Sequence, residues 1–214
     1  MKRNSVYARK PGWGGRRKGA GRKKRGRVKH ARRRHKKAHP VHVNVHVLED
    51  VPSLRAGGLG PLIGGYFRRV LGRRVDFRVT AFAILGNHIH MLVEADDQPA
   101  LSRGMQGLLS GMARVINRKL GRRGQLWADR YHAHELTTPT ETRNALRYVL
   151  MNLARHGGPL GIDPFSSATW FPGFADAIHA TYGSPVAAPR TWLLRTGWRK
   201  AGGPLSIHER PRHS

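Results

Sequence analysis

Two histidines one residue apart, and a tyrosine four residues before an asparagine, are the groups in this sequence best suited to chemistry. Ile89, Met91, Val93 and Ala95 alternate with His88, His90, Leu92 and Glu94. Side chains two apart on a strand share a face, so the apolar set turns to a core and the two imidazoles converge on the open side, within reach of one divalent ion. The tyrosine lies on a helical pattern. Leu146, Val149, Leu150 and Leu153 form a buried stripe, and Tyr148 sits roughly opposite it with Glu141, Asn144, Asn152 and Arg155. Residues four apart on a helix are neighbours, so the Tyr148 hydroxyl and the Asn152 amide oxygen reach the same point. Each group also has a plainer reading: a surface histidine pair, and a tyrosine that seals the edge of the core.

A phenol with a pKa near ~10 is a poor nucleophile at neutral pH. It needs a cation that polarises a phosphoryl group, aligns it for in-line attack and offsets the charge building on its oxygens. Two neutral imidazoles and one amide oxygen can hold Mg²⁺ or Mn²⁺ while leaving positions open for phosphate and water. Attack on a phosphodiester would then leave a covalent phosphotyrosine, which keeps the bond energy for a later rejoining step.

The composition supplies a matching partner. Among 214 residues, 40 Lys and Arg face 12 Asp and Glu, a net charge of +28, so a polyanion is the expected ligand. Residues 1–37 hold 18 of the basic residues and no acid. With many glycines and few apolar side chains, residues 1–39 read as a disordered basic tail that releases counterions from phosphates. The absence of cysteine excludes disulfides, thiolate zinc sites and a cysteine nucleophile. No apolar run is long enough for a membrane helix or a secretory signal, so the expected location is the cytoplasm, at the nucleoid of a bacterial-type cell.

The elements that position these groups follow from periodicity. Val41, Val43, Val45 and Val47 alternate with His42, Asn44 and His46 in a first strand. A helix follows through Leu62, Ile63, Tyr66, Phe67, Val70 and Leu71, then strands over residues 75–85 and 88–95 joined by a Gly86-Asn87 turn. Residues 101–120 form a second helix ended by Gly121, and residues 125–136 an irregular fourth strand. A third helix starts at Thr140 and Glu141 and runs to about His156. This order is the α+β, ferredoxin-like pattern: a four-stranded antiparallel sheet with the two early helices on one face, the other face being left for a partner or for the C-terminal tyrosine-bearing helix. Residues 40–156 are the expected domain, and residues 157–214 a loop-rich extension packed on it.

These residues resemble the HUH-type single-tyrosine transposases that act on single-stranded DNA, in particular the REP-associated tyrosine transposases and their insertion-sequence relatives. The likeness covers about residues 40–156. It rests on residues 86–94 (Gly-Asn-His-Ile-His-Met-Leu-Val-Glu), 147–155 (Arg-Tyr-Val-Leu-Met-Asn-Leu-Ala-Arg) and 124–131 (Gly-Gln-Leu-Trp-Ala-Asp-Arg-Tyr). The resemblance implies that His88 and His90 are metal ligands, that Tyr148 is the nucleophile and that Asn152 is the third ligand. It also implies cleavage of single-stranded or hairpin DNA through a 5′-phosphotyrosine, releasing a 3′-hydroxyl. Relatives usually carry Asn-Pro where Asn152 is followed here by Leu153, so the helix is expected to run further.

Tyr131 is a rival nucleophile beside His132 and His134, and His42 and His46 are rival ligands or phosphate contacts on the polar face of the first strand. Arg118, Arg122, Arg123, Arg130, Arg147 and Arg155 flank the site as candidates for gripping phosphates, because acids to pair with them are scarce. The chain admits a homodimer. The competing reading is a noncatalytic basic nucleic-acid-binding protein, indifferent to metal.

Overall fold

A short strand that buries every second residue opens the fold. In the computed structural model β1 (Val41–His46) sits inside a four-stranded sheet, with its valines buried and His42, Asn44 and His46 half-buried on the other side. The structure describes residues 35–152, 161–180 and 182–209. Of the tail expected over residues 1–39, residues 1–34 lie outside the described residues. His35 to His39 do not hang free: the His35 ring Nε2 lies 2.8 Å from the Ala95 carbonyl, and Lys36 N–H donates to Glu135 at 2.7 Å.

After β1 come α1 (Leu59–Val70), β2 (Phe77–Ile84), β3 (His88–Ala95), α2 (Gln98–Leu120), β4 (His132–Glu135), α3 (Pro139–Leu150) and a one-turn α4 (Trp192–Arg195). The sheet order is β2-β3-β1-β4, with every neighbouring pair antiparallel, which is the ferredoxin-like arrangement. The valines of β1 and Ile89, Met91 and Val93 of β3 bury against Ile63 and Phe67 of α1 and Met105, Met112 and Ile116 of α2. On the opposite face, Ala81, Ala83 and Leu92 meet Leu146, Val149 and Leu150 of α3 together with Trp198 and Leu205 of the extension. The histidine face of the sheet is thus the face that α3 covers.

The helix starts are locally specified. Asp97 caps α2 by accepting from Ala100 N–H at 2.6 Å, and Gly121, left-handed at φ 64°, ends it. α3 opens on a capping box in which Thr138 accepts from Glu141 N–H and the Glu141 carboxylate accepts from Thr138 N–H.

One expectation is narrowed, and a second falls partly outside the described residues. The continuous fourth strand spans only His132–Glu135; upstream of it the expected strand keeps a single bridge, Trp127 with Val47 just past β1, while the Trp127 indole donates to the Leu109 carbonyl of α2 at 3.1 Å. α3 spans Pro139–Leu150 and breaks at Met151, which leaves helical geometry at φ −119°, ψ 25°; Asn152 is helical again, and the rest of the run expected to about His156 lies outside the described residues. On a straight helix Met151 would lie about 140° from Leu146, towards solvent; after the break Met151 and Asn152 are both buried.

The extension closes the other edge of the sheet. Ile84 N–H donates to Phe165 C=O, Ser167 N–H to Phe82 C=O and Ala187 N–H to Val79 C=O, so backbone rather than solvent faces the outer side of β2. Glu94, buried on the histidine face, accepts from the N–H groups of Arg190 and Thr191 and from the Thr191 hydroxyl, which fixes the start of α4. Among the described residues no helix is long and apolar enough to cross a membrane.

Candidate active site

Strand pairing sets the site. In the β1–β3 register His46 lies opposite His88 and Asn44 opposite His90, and in the β1–β4 register His42 lies opposite His134. The alternation that hides the valines therefore gathers imidazoles from three adjacent strands on one surface.

Within that surface the His88 and His90 Nε2 atoms are 3.1 Å apart. Each ring has a partner at its other nitrogen: Asn87 Oδ1 is 2.7 Å from His88 Nδ1, and His42 Nε2 is 3.3 Å from His90 Nδ1. Two proton arrangements satisfy these distances. In one, a proton lies between the facing Nε2 atoms. In the other, both Nδ1 atoms carry the protons, Asn87 and His42 accept them, and two lone pairs converge on one point. The second is the pattern in which imidazoles bind a metal, each ligand oriented through its distal N–H. A 3.1 Å separation matches the edge between two ligands of an octahedral ion with bonds of about 2.1 Å.

The tyrosine joins this group within one chain. The Tyr148 ring centroid is 4.8 Å from that of His90 and 5.6 Å from that of His42, edge-on to both. Tyr148 is half-buried, whereas His90 is only 3% exposed. Asn152 lies just beyond the break that ends α3, is 1% exposed, and neither its Oδ1 nor its Nδ2 has a hydrogen-bond partner. A buried amide without a partner loses its hydration uncompensated, and a cation at its oxygen would offset that loss. Among the described residues no group of three or more His, Cys, Asp or Glu could hold a metal ion.

The rivals take other places. Tyr131 packs against the core beneath α1 and α2, on the far side of the sheet from His88 and His90. His46 stacks on His88 at 4.7 Å, and His42 bonds to His90, so both support the pair. Sequence reasoning missed Asn87 as the group that orients His88, although its place one residue before the strand was visible.

The arginines divide. Arg118, Arg123 and Arg130 are exposed, and the turn from Gly121 to Trp127 is bonded to the end of β1 through Leu48 N–H to Leu126 C=O, beside His46. Arg122 pairs with Asp50 at 2.9 Å. Arg147 is drawn inward to Glu209 at 3.5 Å and to Asn144 at 3.1 Å, with Arg143 paired to the same Glu209 at 3.0 Å. For these two the expected shortage of acids does not hold, because an acid distant in sequence folds onto each. Arg155 lies outside the described residues.

Burial first, and the nearby His134 second, hold the His42 pKa down to about 4 from 6.5. The unfolded chain therefore takes up a proton between pH 6.5 and 4 that the folded chain refuses, and stability falls as pH drops through that window. Urea unfolding in the presence of chelator at pH 7 and pH 4.5 should show a loss that His42→Gln reduces; equal losses in the two proteins would contradict the assignment.

The family model "Transposase IS200 like" matches residues 65–152, a span that includes His88, His90, Tyr148 and Asn152. A solved structure described as a REP-associated tyrosine transposase bound to a REP hairpin is similar at 16% identity and a TM-score of 0.49, covering 61% of this chain and 77% of that chain. No curated protein matches with significance.

Proposed function

From a chain whose residues 65–152 match the IS200-like transposase family, we propose a DNA strand transferase that cuts and rejoins single-stranded or hairpin DNA through Tyr148. One observation carries this reading: the Tyr148 ring lies 4.8 Å from His90, whose Nε2 faces that of His88 at 3.1 Å. His88, His90 and Asn152 fit a divalent ion, Mg²⁺ or Mn²⁺, by their paired lone pairs and by the partnerless Asn152 amide. When bound, such an ion supplies positive charge to the phosphoryl oxygens and fixes the line of attack.

The chain's own groups do the rest. Tyr148 gives up its phenolic proton and its oxygen forms the new bond to phosphorus, while the bond from phosphorus to the 3′-oxygen breaks and that oxygen takes a proton. The downstream strand stays on Tyr148 by its 5′-phosphate, and the upstream strand leaves with a 3′-hydroxyl able to reverse the step. α3 presents the phenol, β1 holds His90 in its tautomer through His42, and Asn87 does the same for His88. The three groups meet within one chain, so no second copy is needed to bring Tyr148 to the imidazoles. Exposed Arg118, Arg123 and Arg130 hold the strand by its phosphates.

Hairpin-bearing strands labelled at one end or the other, incubated with Mn²⁺ and run on a denaturing gel, test the polarity. Label 3′ of the cut should travel with the protein and label 5′ of it should run free. A reversed pattern overturns the mechanism, and binding without any covalent species favours a noncatalytic nucleic-acid-binding protein instead.

A further inference from the structure

On the sheet face away from the histidines, α1, α2 and β2 enclose a cavity of about 270 Å³ that the proposed reaction does not use. Its floor is apolar, formed by Tyr66, Phe67, Phe77 and Leu108. Its rim is cationic. Arg74 and Arg78 have carboxylate partners, Asp76 at 2.6 Å and Glu94 at 3.9 Å, whereas Arg73, Arg103 and Arg114 have no carboxylate within ion-pair distance among the described residues, Arg103 acting on Asp76 only from beyond that distance.

α2 is built to leave this space open. Arg103, Gly107 and Arg114, spaced i, i+4 and i+11, fall within about 40° of one another around the helix axis. Two guanidinium groups therefore flank a bare patch. A Cβ on Gly107 would meet nothing within 4 Å, although glycine disfavours a helix interior relative to alanine. Gly104 and Gly111 differ, because a Cβ there would collide with the Phe77 ring and the Tyr66 hydroxyl. Packing demands those two glycines and does not demand Gly107, whose effect is an unfilled cavity.

The ligand such a cavity recognises has a flat apolar body and negative charge at its edge. A base-paired duplex hides its bases, but an unpaired nucleotide offers both parts: the base for the aromatic floor and phosphates for Arg103, Arg114 and Arg73. The mouth carries further apolar surface, since Leu71 and Val75, on either side of Gly72-Arg73-Arg74, are 39% and 77% exposed. We propose that this cavity seats one unpaired nucleotide of the DNA, on the opposite side of the sheet from Tyr148. The identity of the ligand as DNA rests on the strand-transferase reading above.

The test uses the full chain, a labelled mixed-sequence 20-mer single strand and the same sequence as a duplex, followed by fluorescence anisotropy over a salt series. Arg103→Gln/Arg114→Gln should weaken single-strand binding about tenfold and lower the slope of log affinity against log salt by about 1.4, two contacts at about 0.7 each. Arg195→Gln/Arg199→Gln, which removes the same charge elsewhere, should change affinity less than about twofold. Gly107→Leu should fill the cavity, keep or raise the thermal midpoint, weaken single-strand binding about tenfold and leave duplex binding unchanged.

Equal losses in the two arginine pairs overturn the proposal, as does a folded Gly107→Leu protein that binds the single strand like wild type. Should Gly107→Leu not fold, the arginine pairs decide. Covalent capture by Tyr148, measured on the same strand, separates the two proposals. Capture with no cavity effect removes the cavity alone, while a cavity effect without capture removes the reaction and leaves the cavity standing.

Discussion

Tyr148→Phe abolishes covalent capture of DNA, a loss on the order of 10⁴-fold or more, as expected when the only attacking atom is removed from a covalent mechanism. The substitution deletes one oxygen and keeps the ring that lies edge-on to His90 and His42. Thermal unfolding and noncovalent DNA binding should stay close to wild type, so lost capture cannot be charged to a lost fold. Tyr131→Phe is the matched control, because Tyr131 packs beneath the helices and its hydroxyl has no part in the mechanism. Capture that survives in Tyr148→Phe and disappears in Tyr131→Phe would reverse the assignment.

His88→Ala should lower the cleavage rate at least about 10²-fold and move the metal dependence to higher concentration. Even outer-sphere partners of a ligand commonly cost 10–100-fold, and His88 is assigned to the ion itself. His88 is half-buried at the end of β3, so its removal leaves the core beneath the strand in place. His90→Ala carries the same loss of rate with an added cost in stability, because it strips His42 of its ring partner. Chelation of wild type should mimic His88→Ala, and added Mn²⁺ should restore wild type first. Full activity in His88→Ala at the wild-type metal concentration would remove the imidazole pair from the mechanism.

Much of this was legible in local patterns. Alternation in β1 and β3 fixes which side chains share a face, so the imidazole pair and the supporting His42 and His46 follow from period two alone. Asp97, Gly121 and the pairing of Thr138 with Glu141 mark helix ends through bonds between near neighbours. What escaped depends on groups distant in sequence. The break in the helix at Met151 goes with burying that residue in a core completed by Trp198 and Leu205, some fifty residues on. Arg147 reads as an exposed cation until Glu209 folds onto it. The interruption of the fourth strand between its bridge at Trp127 and His132 has no counterpart in the local pattern, and the Trp127 indole bonds a carbonyl on α2 far from it in sequence order. The cavity beneath Arg103 and Arg114 has no trace in hydropathy, since its lining comes from α1, β2 and α2, segments separate in sequence.

The claim that Tyr148 attacks phosphorus is tested most directly by mass spectrometry of the trapped species. Protein incubated with a hairpin-bearing strand and Mn²⁺ is digested with trypsin and nuclease. Cleavage after Arg147 and after Arg155 isolates Tyr148 in one short peptide, and cleavage after Arg130 and Arg143 isolates Tyr131 in another. The peptide over residues 148–155 should carry the added mass of a 5′-phosphonucleotide. The same mass on the peptide over residues 131–143, or on neither, would contradict the account.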